Sequence, residues 1–267
     1  MNKNRRFSGR LIGGVLTLLL IVSSSVVVAA NNEWQSIFNG KDLTGWTAKL
    51  KGYPLGEDPK STFRVEKGLL RVTYDNYTSF DKDFGHLYYH KELSHYRLRF
   101  DYRFLERKVK VGPKRNSGVM LHSQPPETMM IDQKFPISIE SQLLGGNGKG
   151  DRPTGNVCTP GTHVKIAGKL ITKHCINSIS NTFHGDQWVS FEVEVHGGEF
   201  IRHFINGKQV FEFTDPVYDL KNKNGIATQL IKGQTPALTK GFIALQAESH
   251  DIDFRNIELM ELDHKPK

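Results

Sequence analysis

The stretch Tyr96-Arg97-Leu98-Arg99-Phe100-Asp101-Tyr102-Arg103-Phe104 alternates apolar and polar residues without a break. A period of two puts the apolar side chains on one face and the charges on the other, which is a strand half in a core and half in water. Val189, Phe191, Val193 and Val195 alternate in the same way with Ser190, Glu192, Glu194 and His196. His196-Gly197-Gly198 turns that run into 199–205, and Asn206-Gly207 turns it again into 209–213. Asn-Gly between alternating runs is the strongest short hairpin signal, so 188–213 is expected to form a three-stranded meander.

Further strands are expected at 63–74, 86–90, 117–123, 137–143, 242–248 and 252–262. In the last, the apolar phase shifts between Phe254 and Ile257, as a bulge causes. No segment carries a helical stripe over three turns. Many short strands with turn signals between them predict an all-β sandwich or barrel. Segment 144–187 differs. It holds Gly145-Gly146-Asn147-Gly148-Lys149-Gly150, Pro153, Pro160 and both cysteines, Cys158 and Cys175. It is expected to be a long loop insertion within one domain spanning 31–267, and long ordered loops on sandwiches usually carry function.

The first ten residues contain Lys3, Arg5, Arg6 and Arg10 and no acid; an apolar run follows over 11–28 and ends in Val28-Ala29-Ala30. A basic start, an apolar middle and a small-residue end predict a secretory signal peptide over 1–30, and hence an exported protein, periplasmic or extracellular in a bacterium. The alternative is an N-terminal membrane anchor, since the run is near the lower limit for a span. Without the signal the charge is modest: 36 basic residues less the four in the signal, against 28 acidic ones, gives +4. No nucleic-acid partner is inferred from that balance. The clusters Arg107-Lys108-Val109-Lys110 and Lys221-Asn222-Lys223 are expected to be solvated loops. In an oxidising compartment the cysteine pair predicts a disulfide, Cys158 to Cys175.

Polar residues that share a face within apolar strands are the candidates for chemistry. Glu140 and Gln142 are two apart in Ile137-Ser138-Ile139-Glu140-Ser141-Gln142-Leu143. Asn116 and His122 share a face across Gly118 and Met120. Gln246, Glu248 and His250 share a third. Glu140 stands out, because its strand is otherwise apolar and Glu is depleted in strands. Ordinary glycosidases flank one bond with two carboxylates. The Glu140 strand holds one, and only a distant strand offers Glu248 as a second. No phosphate loop, G-x-S-x-G elbow or H-E-x-x-H is present; the histidines are scattered, and a metal site has only a weak spacing signal.

These residues resemble the 3-keto-disaccharide hydrolase domain family. The resemblance lies in Ile37-Phe38-Asn39-Gly40-Lys41-Asp42-Leu43-Thr44-Gly45-Trp46, in Arg115-Asn116-Ser117-Gly118-Val119, in Glu140-Ser141-Gln142-Leu143 and in Gly185-Asp186-Gln187-Trp188. It ends in Gly241-Phe242-Ile243-Ala244-Leu245-Gln246 followed by Phe254-Arg255-Asn256-Ile257. It implies a concanavalin- or laminin-G-like jelly-roll sandwich of two antiparallel sheets, with a sugar site on the concave sheet. The implied activity is cleavage of glycosides oxidised to a ketone at C3. A C3 ketone acidifies the C2 hydrogen, so one base, one acid and a group that stabilises the enolate suffice.

On that basis Glu140 or Glu248 is the expected base, and His122 or His250 the expected acid. Arg115, Asn116, Gln142 and Gln246 would hold hydroxyls or the enolate oxygen. Trp46 and Tyr74 are candidates to stack on the sugar. A divalent metal at the enolate is the one cofactor left open. Two other classes stay open: a non-catalytic carbohydrate-binding or lectin-like module, and a conventional β-glucanase-like hydrolase.

Overall fold

A computed structural model describes Met1 and residues 32–106, 114–222 and 225–263. The expected signal peptide, the cluster 107–110 and Lys223 lie outside the described residues. The chain folds as a jelly-roll β-sandwich of two antiparallel sheets. One sheet has ten strands. Nine run in the order Lys169–Ile171, Thr162–Ile166, Lys208–Tyr218, Phe200–Ile205, Val189–His196, His95–Phe104, Ile252–Glu261, Leu69–Val72, Phe63–Glu66, and Gln35–Ser36 also pairs with Ile252–Glu261. The other has seven, in the order Cys175–Ile176, Asn156–Cys158, Ile139–Leu144, Asn116–Ser123, Phe242–Ala247, Gly85–Tyr89, Trp46–Leu50.

The alternating stretch does what its pattern requires. Its apolar members Tyr96, Leu98, Phe100, Tyr102 and Phe104 are buried, and the charged residues between them are part-exposed. Phe100 stacks on Phe191 at 5.0 Å and meets Phe254 edge-on at 5.4 Å. Each such ring, fully buried, stabilises by roughly 1.5–3 kcal/mol. Val119, Leu121, Ile139, Leu143 and Leu245 of the seven-stranded sheet belong to the same core.

The meander is present, and its Asn206-Gly207 turn is left-handed at both positions, with φ of 50° and 75°. The expected bulge near Phe254 is a register shift between Arg255 and Glu258, with Asn256 at φ 53°. Two expectations are corrected. Segment 63–74 is a hairpin, because Lys67 and Gly68 both adopt positive φ and fold Leu69–Val72 back onto Phe63–Glu66. Segment 144–187 is not one irregular loop: it carries four short strands, two extending each sheet.

Cys158 and Cys175 are disulfide-bonded and sit directly opposite each other on adjacent strands. The next strand inward carries Glu140 opposite Cys158. The bond therefore closes the sheet edge beside that residue. Replacing both cysteines with serine is expected to lower unfolding free energy by roughly 2–4 kcal/mol. Urea denaturation checks this; an unchanged midpoint would mean that strand pairing alone holds the edge.

Candidate functional site

The outer face of the seven-stranded sheet is half apolar and half polar. Tyr88, Met120 and Ala244 form its apolar half, packed under Met129. Strand register sets out the polar half beside it. Asn156 is opposite Gln142, Gln142 opposite Gly118, and Gln246 opposite His86, which is in turn opposite Lys49. Asn156 donates to Gln142 Oε1 at 3.2 Å, and Gln142 donates to Asn116 Oδ1 at 3.3 Å. These amides hold one another in place.

Glu140 lies across this row. It is 5% exposed. A Cβ at Gly118 would stand 2.6 Å from Glu140 Oε1, so only glycine lets the carboxylate lie over the neighbouring strand. Burial pushes the Glu140 carboxyl well above the usual range, and the charge of Glu248 adds to the shift. The Gln246 amide opposes it from close by, though without hydrogen-bond geometry. Glu140 Oε1, both amide atoms of Gln246 and His86 Nε2 are buried without a hydrogen-bond partner among the described residues. Buried polar atoms are nearly always satisfied, so a cluster of four is a place for a polar ligand or for water.

Glu248 borders a cavity of about 510 Å³ together with Phe80, Phe84, Phe135, Lys114 and Lys134. That volume suits a small ligand. Burial pushes its carboxyl up to about 7, and Lys114 opposes the shift. Two neighbouring carboxylates in a desolvated patch titrate apart, one neutral and one charged. Behind them, His203 bridges the sandwich. Its Nδ1 donates to Gly155 O at 2.9 Å, and its Nε2 accepts from Ser141 at 2.7 Å. Burial lowers its pKa to about 4. A neutral imidazole thus pins both the Glu140 strand and the residue before Asn156.

The structure brings Glu140, Glu248, Gln246, Gln142 and Asn116 together and places the other expected site residues elsewhere. His122 has φ 47° at a register shift, and its Nε2 donates to Gly197 O at 2.9 Å. The bulge turns it away from Glu140, and burial lowers its pKa to about 4. His250 follows Ser249, whose φ of 71° ends the alternation, and its Nε2 donates to Leu105 O at 3.1 Å. Arg115 is held by Gly146 O at 3.0 Å and by Glu106 at 3.2 Å. Trp46 is in the core, with its indole N–H on Ile37 O. Tyr74 is also core, and its hydroxyl accepts from Ser249 N.

Sequence reasoning missed His86, Lys49, Asn156 and Lys114. The alternation His86-Leu87-Tyr88 was a usable signal for the first. Lys49 donates to three backbone carbonyls, including Ile131 O at 3.3 Å, and so ties down the segment that carries Phe135 over His86. Among the described residues no group of three or more His, Cys, Asp or Glu is arranged to hold a metal ion.

A carboxyl whose folded pKa is raised binds its proton more tightly when folded. The stability this gives is complete below the unfolded value of 4.5 and is lost as pH rises to about 7 for Glu248. Glu248→Gln should therefore gain on the wild type between those pH values, read as the difference in Tm. A difference that does not change with pH would contradict the desolvated carboxyl.

No curated protein matches the chain. Among solved structures, a candidate glycosyl hydrolase from Parabacteroides distasonis is 20% identical over 86% of this chain and 94% of its own, with a TM-score of 0.52. A second candidate glycosyl hydrolase from that organism is 22% identical over 86% of this chain and 100% of its own, with a TM-score of 0.51. At such identities the likeness is one of fold. A family profile matches residues 33–260, which takes in both sheets and the whole polar face. The chain belongs to the 3-keto-alpha-glucoside-1,2-lyase-like domain family.

Proposed function

We propose that the protein cleaves glycosides whose sugar carries a ketone at C3, by elimination followed by hydration. The observation that carries this is the carboxylate pair, with Glu248 on the cavity wall and Glu140 buried deeper and more strongly protonated. Ionised Glu248 takes the proton from C2. The C–H electron pair passes into the enolate, whose oxygen is the former ketone. The enolate then collapses to restore the ketone and form a C1–C2 double bond, and the C1–O bond breaks. Protonated Glu140 gives its proton to the departing oxygen. Water adds across the double bond, with hydroxyl to C1 and hydrogen to C2, which completes a net hydrolysis. The unpartnered Gln246 amide is placed to hold a hydroxyl or the enolate oxygen. His122 takes no part in this scheme.

Family membership supports the keto substrate, and the polar face supports a sugar as partner. Two carboxyl groups are also what a conventional glycosidase uses, which is the second reading. The disulfide supports an oxidising compartment, and we propose export with the signal over 1–30 removed.

Purified protein mixed with 4-nitrophenyl glucoside and with its 3-keto derivative is expected to release nitrophenol from the keto substrate alone. Release from the unoxidised glucoside would favour the conventional hydrolase. Release from neither, with glycan binding, would favour a binding module. Parallel reactions with EDTA read any metal requirement. Glu140→Gln and Glu248→Gln should each lower kcat/KM by about 10²–10⁴-fold while the protein stays folded. The base must be charged, so kcat/KM should fall as pH drops through an apparent pKa near 7. A flat acid limb would remove Glu248 from that role.

A further inference from the structure

A second cavity adjoins that of Glu248, and it is basic. It measures about 650 Å³ and is walled by Lys114, Arg115, Lys149, His184 and His250, with Glu106 as the one acid among its described lining residues. Glu106 is already paired with Arg115 at 3.2 Å. Neither Lys114 nor Lys149 has a carboxylate within ion-pair distance among the described residues. Lys114 also lines the cavity of Glu248, so it stands on the boundary between the two spaces.

The glycine-rich loop forms one wall. A Cβ at Gly146 would lie 2.2 Å from the His184 ring, so glycine at 146 is what lets that ring sit against the loop. Gly148 has open space where a side chain would be, which leaves the loop backbone accessible. The Arg115 guanidinium is fixed by Gly146 O and by Glu106, so the cavity's excess of positive charge comes from the two lysines. A cavity this size, with a net excess of cations, focuses a positive field on whatever group occupies it.

We propose, resting on the glycoside-cleaving function above, that this cavity is the leaving-group subsite and selects substrates whose leaving group carries a carboxylate. Lys114 joins the two subsites: one side faces the base, the other the acid group of the departing half. An aryl acid and a uronic acid both meet this chemistry.

Two measurements test it. The first needs no turnover. Binding of 4-hydroxybenzoate against 4-hydroxybenzamide, and of glucuronate against glucose, is measured by calorimetry at low and at high salt. At least one acid should bind about tenfold or more tightly than its neutral partner. The gap should close with salt and in Lys149→Glu, an exposed loop position. Whichever acid shows the gap identifies the class. Equal binding of acid and neutral probes, or a gap unmoved by Lys149→Glu, would overturn the proposal.

The second measurement compares the 3-keto-glucosides of 4-nitrophenol and of 4-hydroxy-3-nitrobenzoate. The acid-to-neutral ratio of kcat/KM should fall about tenfold or more in Lys149→Glu. Turnover of the neutral keto-glucoside with no acid preference removes the subsite and leaves the reaction intact. Acid binding without turnover of any keto-glycoside removes the reaction, and with it the leaving-group role.

Discussion

Two carboxyl groups buried beside each other cannot both give up their protons near neutral pH. Glu140 is deep, over Gly118, where burial disfavours its charge. Glu248 reaches a cavity wall with Lys114 opposing its burial. On the proposed reading, protonated Glu140 is then the proton donor and ionised Glu248 the proton acceptor of a single patch. The rest of the polar face follows from this, since the amides of Asn156, Gln142 and Asn116 and the empty-handed Gln246 are the neutral groups that such a patch tolerates.

The scaffold keeps this arrangement in place from three sides. From behind, neutral His203 fastens the Glu140 strand to the opposite sheet through Ser141. At the edge, the disulfide closes the strand pair next to Glu140. In front, Lys49 anchors the segment that brings Phe135 over His86. All three reach the site by way of strand register. A slip by one residue would send Glu140 into the sandwich core and Ile139 to the outer face.

The sandwich was legible in the sequence because alternation is a backbone property. The runs at 96–104 and 189–195 state which face is wet, and Asn206-Gly207 states where the chain turns. Glu140, Gln142 and Gln246 were legible for the same reason. His122 and His250 were misplaced because alternation fails where φ turns positive, at His122 itself and at Ser249. Neither residue advertises that conformation, as glycine or asparagine would. Trp46 and Tyr74 are aromatic, which suits a core as well as a sugar face, and their pairing with Ile37 and Ser249 is non-local. Lys114 lies outside any periodic run, so only the fold shows that it faces Glu248.

The central claim is that bond cleavage begins at C2 and not at C1. Conventional hydrolysis at C1 leaves the C2 hydrogen in place, whereas elimination must transfer it to Glu248 and hence to water. A 3-keto-glucoside deuterated at C2 decides between them. The protein is predicted to release product that has lost the deuterium to solvent, faster than the keto substrate exchanges it unaided. Product that retains the label, at full turnover, would contradict the account.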